Sequence, residues 1–420
     1  MPWFQEIRGN AKGCLVYEPM FVIPYSLYIT YATIYMLRLG LNTTQIGMIA
    51  SLGMILQMFN SAISGHVTDR LGRRRALLTF DMISWSLGTL MWAVAQNVWF
   101  FVIAAIFNSF QKIPNTAWYC LLVEDTEPKH RSVVFTALQF VGVIGGLFTP
   151  LGGLLIDHWN LIPSMRILYV ITFISMTAMF ILRNRAVHET NIGLRKMAES
   201  KSARWSETVM QHTQIIGEIF RNRSILAVFA VYVLNNFQMA ISGTFLSVYE
   251  VSALHIPTAW ISLFPAVASV ATLLLMYFVV PRLQSENPLR YVMIGFAVSL
   301  VATTLLIFAP IANIAWVSVT AILSAAGALV ANPFLETLTA NSIRDEERAK
   351  FLSVLTVLIL LFTWPSGVIG GWTYLINPRL TISIIALTLA VGLIILLSLW
   401  LAHHTTNRNI HNSSITSSAE

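Results

Sequence analysis

The chain reads as an all-α integral membrane protein, with twelve transmembrane helices arranged as two pseudo-symmetric six-helix bundles. Three observations predict this: the composition, the spacing of long apolar runs and an internal repeat. Of the 420 residues, 56% are hydrophobic and 11% charged, whereas an ordinary soluble domain is roughly 25% charged. So little charge would leave a water-soluble globule of this length without a polar surface. Lys+Arg 26 against Asp+Glu 19 gives a net charge of +7, but the cations stand between apolar runs and not along one basic face, which argues against nucleic acid as a partner.

A bilayer core about 30 Å thick takes about 20 apolar residues per helix. Stretches of that order fall at 14–37, 44–65, 76–96, 99–123, 132–156, 164–183, 223–250, 258–280, 291–310, 314–338, 350–375 and 381–402. The first follows a polar start, contains Glu18, Pro19 and Pro24 and runs to Leu37, so it reads as a retained span and not a cleaved signal. Apart from Arg38, Lys112, Arg166 and Arg379, every Lys and Arg falls at the N-terminus, in the tail or in alternate connections. By the positive-inside rule those segments, and both termini, are cytoplasmic, and the plasma membrane is the expected location.

The longest connection divides the chain into an N-terminal bundle (1–183), a central loop (184–222), a C-terminal bundle (223–402) and a cytoplasmic tail (403–420). An interfacial amphipathic helix is expected around Trp205 to Phe220, and the tail, rich in Ser, Thr and Asn, reads as disordered. Arg131, Pro150 and Gly152-Gly153 recur as Arg348, Pro365 and Gly370-Gly371 at offsets of 215 to 218. Asp69-Arg70-Leu71 is echoed by Pro281-Arg282-Leu283. The halves therefore repeat in parallel, related by an axis along the membrane normal.

Between spans two and three stands Gly65-His66-Val67-Thr68-Asp69-Arg70-Leu71-Gly72-Arg73-Arg74-Arg75. This run resembles the G-x-x-x-D-R-x-G-R-R signature of the major facilitator superfamily. The resemblance implies a secondary transporter working by rocking of two bundles, with this loop as a latch on one access state. Physically, Gly65 would let another helix end approach, Asp69 would accept hydrogen bonds at a helix N-terminus or pair with Arg73, and Gly72 would permit a tight turn. The plainer reading is that Arg70 and Arg73 to Arg75, Arg74 included, only hold the loop to anionic lipid.

Span five, from Gly142 to Gly153, is similar to the glycine-proline motif of the superfamily's antiporters. It departs from that motif at Thr149 and is one residue short after Pro150, and close helix packing alone would explain its glycines. In span four Asn108 stands where many proton antiporters have arginine; Gln111 matches the following glutamine, with Lys112 beside it.

An ionisable residue at a helix centre costs at least ~2.5 kcal/mol on insertion scales, so it usually faces a cavity. Asn108, Gln111, Lys112 and Asn115 form one helical stripe in span four. Gln57 and Asn60 lie on one face of span two, Asn235 and Asn236 on one face of span seven, and Asn332 in span ten. Tyr25 and Tyr28 belong to a tyrosine stripe in span one. Such a cavity would bind an organic solute with ring faces or hydroxyls; the alternative is that the amides bond between helices and the tyrosines form an interfacial belt. Glu18 and Glu336 are the candidates for a coupled proton. Asp81 is expected to pair with the loop, and Asp157, His158 and Glu250 to be solvated at the outer ends.

Cys14 and Cys120 lack metal or disulfide spacing, no cofactor is implied, no Gly-rich phosphate loop is present, and no catalytic acid, base and nucleophile set is visible. The favoured reading is proton-coupled export of a small amphipathic compound by a monomer in contact with membrane lipid. The alternatives are proton-linked uptake of a sugar or similar nutrient, and a sensor that keeps the fold without transporting.

Overall fold

The computed structural model describes residues 7–200, 217, 220–282, 288–341 and 348–417, and the regular structure among them is entirely helical. Most of the expected interfacial helix at 205–220 lies outside the described residues. Nine helices among the described residues are long and apolar enough to cross a membrane. A tenth span is the pair Gly9–Ile29 and Ala32–Arg38, bent by 45°. The remaining two expected spans are built from shorter pieces. Span three runs as Arg73–Asp81, a π-turn at Met82–Leu87, and Gly88–Ala93; span four breaks between Val98–Ser109 and Lys112–Val123.

Local chemistry sets these limits. Asn42 accepts from the Gln45 amide at 2.8 Å while its own amide donates to the Gln45 side chain at 3.0 Å. This capping box starts span two, Thr43–Leu71. Spans five and eleven each break at their proline, as Pro128–Leu147 with Thr149–Trp159 and Arg348–Thr363 with Pro365–Ile376, because proline lacks the amide that would continue the ladder. The tail departs from expectation: the last helix runs from Pro378 to Ser417. Neither proline nor glycine interrupts residues 393–417, so nothing in that sequence stops a helix once started.

The repeated proline and glycine elements occupy equivalent places. A Cβ on Gly145 or Gly152 would meet Val22 or Leu27 of span one, and on Gly146 or Gly153 it would meet Ser269 or Ser262 of span eight. In the second half, a Cβ on Gly370 would meet Phe245 of span seven, and on Gly367 it would lie 2.5 Å from the Gly47 carbonyl of span two. Each element thus packs one face on its own bundle and the other on the opposite bundle, as the two-fold repeat requires.

Polar bonds cross between the bundles at the end remote from the 65–75 loop. The Tyr31 hydroxyl donates to the Ala259 carbonyl at 3.1 Å, Thr43 to Gly371 at 3.2 Å, and Ser51 to Trp364 at 2.6 Å. Toward the loop end, a Cβ on Gly65 would meet nothing within 4 Å among the described residues. Among the described residues the close approach expected at Gly65 is not made, whereas the three bonds above join the bundles at the far end.

Candidate functional site

The signature loop forms a bonded cluster. Arg73, with its side chain 5% exposed, donates to Asp69 at 2.8 Å and to Glu124 at 3.1 and 3.2 Å. Gly72 turns at φ +84°, and Glu189 and Met197 occupy the space a side chain would need. Asp69 takes the second of its two expected roles, pairing with Arg73. The helix N-terminus is capped instead by Glu189, whose carboxylate accepts from the Arg73 amide at 3.0 Å and the Arg74 amide at 3.1 Å. Thr190 also bonds to Glu124, and the Arg74 side chain donates to the Asn184 carbonyl at 2.9 Å. Arg70 and Arg75 are exposed. Glu189 escaped the sequence reading because it lies more than a hundred residues from the motif; its only signal is an acidic residue just past the end of span six.

Within the N-terminal bundle a cavity of about 170 Å³ is lined by Glu18, Asp81, Gln111, Asn115, Trp118 and Arg183, among others. Arg183 pairs with Asp81, both deeply buried. This corrects two expectations. Asp81 turns away from the loop toward span six, and Arg183, counted with the loop cations, sits inside helix Leu161–Ala186. One Glu18 oxygen is buried without a hydrogen-bond partner among the described residues. The span-four stripe is divided: Gln111 and Asn115 face this cavity, and Gln111 also donates to Asn108 at 2.8 Å. Lys112 is half-buried at the start of the second piece of span four and lines none of the cavities described here.

A second polar tract lies along the C-terminal bundle where it faces spans one and five, in two cavities that share Ala325 and Ala328. The one nearer the loop end, about 460 Å³, is lined by Gln139, Thr272, Asn332 and Glu336 with small apolar residues. The one nearer the far end, about 480 Å³, is mostly aliphatic and includes Ile29 and Thr30 from span one, Gln238, Ser242 and Glu250 from span seven, and Phe264 from span eight. Both volumes suit a small organic ligand. Glu250 corrects the expectation of a solvated carboxylate. It is 5% exposed, because span seven continues past Val248 in a π-turn, Tyr249–Ala253, that carries it inward.

Asn235 donates to Asn332 at 3.2 Å and accepts from Gln238 at 3.3 Å, tying spans seven and ten beside this tract. Other predicted amides do not reach it. Asn60 is buried and donates to Ser109 at 3.0 Å, a bond between spans two and four, and Asn236 donates to the Tyr232 carbonyl of its own helix at 2.9 Å. Gln57 is half-buried away from the three cavities. Tyr28 is buried with its ring 4.5 Å from Tyr169, and Tyr25 packs 5.4 Å from Tyr28 and 6.0 Å from Trp85. They build the aromatic core of the N-terminal bundle. Gln139, Gln238 and Glu250 are among the cavity residues that the sequence reading missed, with the serines and threonines around them.

The geometry thus comprises a latch-like loop, two bundles joined by repeated glycine contacts, and cavities within and between them. A family model described as Major Facilitator Superfamily matches residues 20–361. The chain belongs to the Major Facilitator Superfamily. It is accordingly an integral membrane protein of a transporter superfamily and not of an enzyme family. Transporters of solved structure superpose over nearly the whole chain. The nucleoside transporter NupG aligns with a TM-score of 0.66 at 13% identity, over 93% of this chain and 98% of its own. A POT family transporter in complex with 5-aminolevulinic acid gives 0.70 at 14%, over 95% and 98%. The human organic anion transporter MFSD10 gives 0.66 at 13%, over 92% and 98%. At such identities these establish the fold alone. Among curated sequences, the multidrug resistance protein MdtG of Salmonella paratyphi A is 29% identical over 195 residues, which are 43% of this chain and 46% of that protein. The match thus spans about half the length of that relative.

Proposed function

We propose that this superfamily member exports a small amphipathic organic compound in exchange for protons. The observation that carries this reading is the 480 Å³ cavity: aliphatic and aromatic walls with seven hydroxyls, one amide and one carboxylate would seat an apolar body with a polar end. The partial relationship to a multidrug resistance protein agrees with it. In this reading the N-terminal bundle spans 1–183 and the C-terminal bundle 223–402, with 184–222 between them and 403–420 as the tail. Both termini and the Gly65–Arg75 loop face the cytoplasm, so the arrangement described is open inward. Gly65, Asp69, Gly72 and Arg73 act as the latch that forms and breaks as the bundles rock, the protein works as a monomer in the plasma membrane, and lipid contacts the exposed Arg70. Asn332, Asn235 and Gln238 line or brace the solute path. Glu336, on that path, and Glu18, in the N-terminal cavity, are the proton carriers.

The test is uptake of a lipophilic dye into inverted membrane vesicles. Dye should accumulate when a proton gradient is imposed and stop when it is collapsed, and Glu18→Gln combined with Glu336→Gln should abolish the dependence on the gradient. Accumulation indifferent to the gradient would remove proton coupling. Absence of accumulation with a panel of amphipathic dyes, alongside uptake of a sugar or nutrient, would replace export by the uptake reading.

A further inference from the structure

Glu250 has no assigned task, and its surroundings are unusual for a carboxylate. It is 5% exposed, it stands on the π-turn that ends span seven, and it makes no side-chain hydrogen bond or ion pair among the described residues. The cavity it faces contains no Lys, Arg or His in its wall. A buried carboxylate is stable only when neutral or matched by a positive charge and hydrogen bonds, and the protein supplies no such cation here. Along the face of span seven, the cavity passes from Gln238 through Met239 and Leu246 to Glu250, with Phe264 across from them. One end therefore offers a carboxylate whose charge only a bound cation would match, and the walls offer aliphatic, thioether, aromatic and hydroxyl surface that accepts ligands of varied shape. The shared Ala325 and Ala328 connect this space to the cavity nearer the loop end, where a ligand would enter.

We infer that Glu250 is the counter-charge for the transported solute, so that the cavity selects a monovalent organic cation with an apolar body over an anion of the same shape. This deepens the export reading, on which it rests, by naming the charge of the solute and the residue that reads it.

The test uses two ions of nearly equal shape and opposite charge, tetraphenylphosphonium and tetraphenylborate, with Nile red as an uncharged probe. Binding is measured on the purified full-length chain in lipid nanodiscs. The wild type should bind the phosphonium at least about tenfold tighter than the borate, since close buried charge pairs at binding sites are commonly worth that much. Glu250→Gln should remove the preference, and a thermal unfolding midpoint like that of the wild type shows that the variant is folded. Glu250→Asp, which retains the charge on a stem one methylene shorter, should keep part of the preference. An unchanged phosphonium affinity in Glu250→Gln, or a wild type that favours the borate, overturns the inference. Binding of Nile red with neither ion overturns it and leaves export standing, whereas binding of none of the three overturns both.

Discussion

Asp81 and Arg183 lie 102 residues apart in sequence and form a buried ion pair between spans three and six. Two charges removed from water depend on each other more than on anything else nearby. Removing one partner from a buried pair costs about 3–5 kcal/mol, whereas replacing both with apolar residues of similar size is often neutral. Asp81→Ala or Arg183→Ala should therefore lower thermal stability in detergent sharply, and Asp81→Leu with Arg183→Met should recover most of the loss. Equal losses in the single and double variants would show that the pair does not act as a unit. Neither partner was legible from sequence as half of a pair. Each lies close to cationic segments, so local charge pointed Asp81 to the loop and Arg183 to the connection. Glu250 was misread for a related reason: a carboxylate near a predicted helix end is ordinarily solvated, and a π-turn leaves no mark in hydrophobic periodicity. Asp69 and Arg73, four residues apart, were legible because helical spacing alone brings them together.

At the scale of elements, the proline and glycine segments of spans five and eleven decide how the bundles meet. Their repetition was visible in the sequence, and so was their suitability for close packing; which helices they touch was not. Gly367 approaches the Gly47 carbonyl and Ser51, and the Val368 amide donates to Ser51 at 3.0 Å. Any side chain at 367 forces spans two and eleven apart, and backbone has little room to yield. Gly367→Ala should destabilise the arrangement joined at the far end and raise the population joined at the loop end. The change would be read as increased thiol labelling of a cysteine placed at Ser51 and decreased labelling of one placed at Gly65, with lower transport. Labelling unchanged at both positions would show that this contact does not control the equilibrium. The length and order of the spans were legible because a bilayer imposes them on the apolar runs. The π-turn in span three and the break in span four depend on local backbone geometry that composition does not encode, whereas the helix that continues through the tail agrees with the absence of Pro and Gly there.

Among the described residues, the two related bundles are bonded to each other at the end remote from the 65–75 loop, and two connected cavities lie between that junction and the loop end. Transport by such a molecule needs a second arrangement in which the junctions exchange, and the Arg73 cluster with Asp69, Glu124 and Glu189 lies where that exchange would occur. Phe135 and Tyr277 are exposed residues of spans five and eight near the loop end, one on each bundle, and are 37% and 75% exposed. Spin labels at cysteines placed there, with Cys14 and Cys120 replaced by alanine, report the separation of the bundles at that end. The measurement to make is the distance distribution between these labels in nanodiscs, with and without an exported dye, at two pH values. Two populations whose ratio shifts with dye and with pH are the predicted result. A single distribution that neither dye nor pH moves would contradict the account.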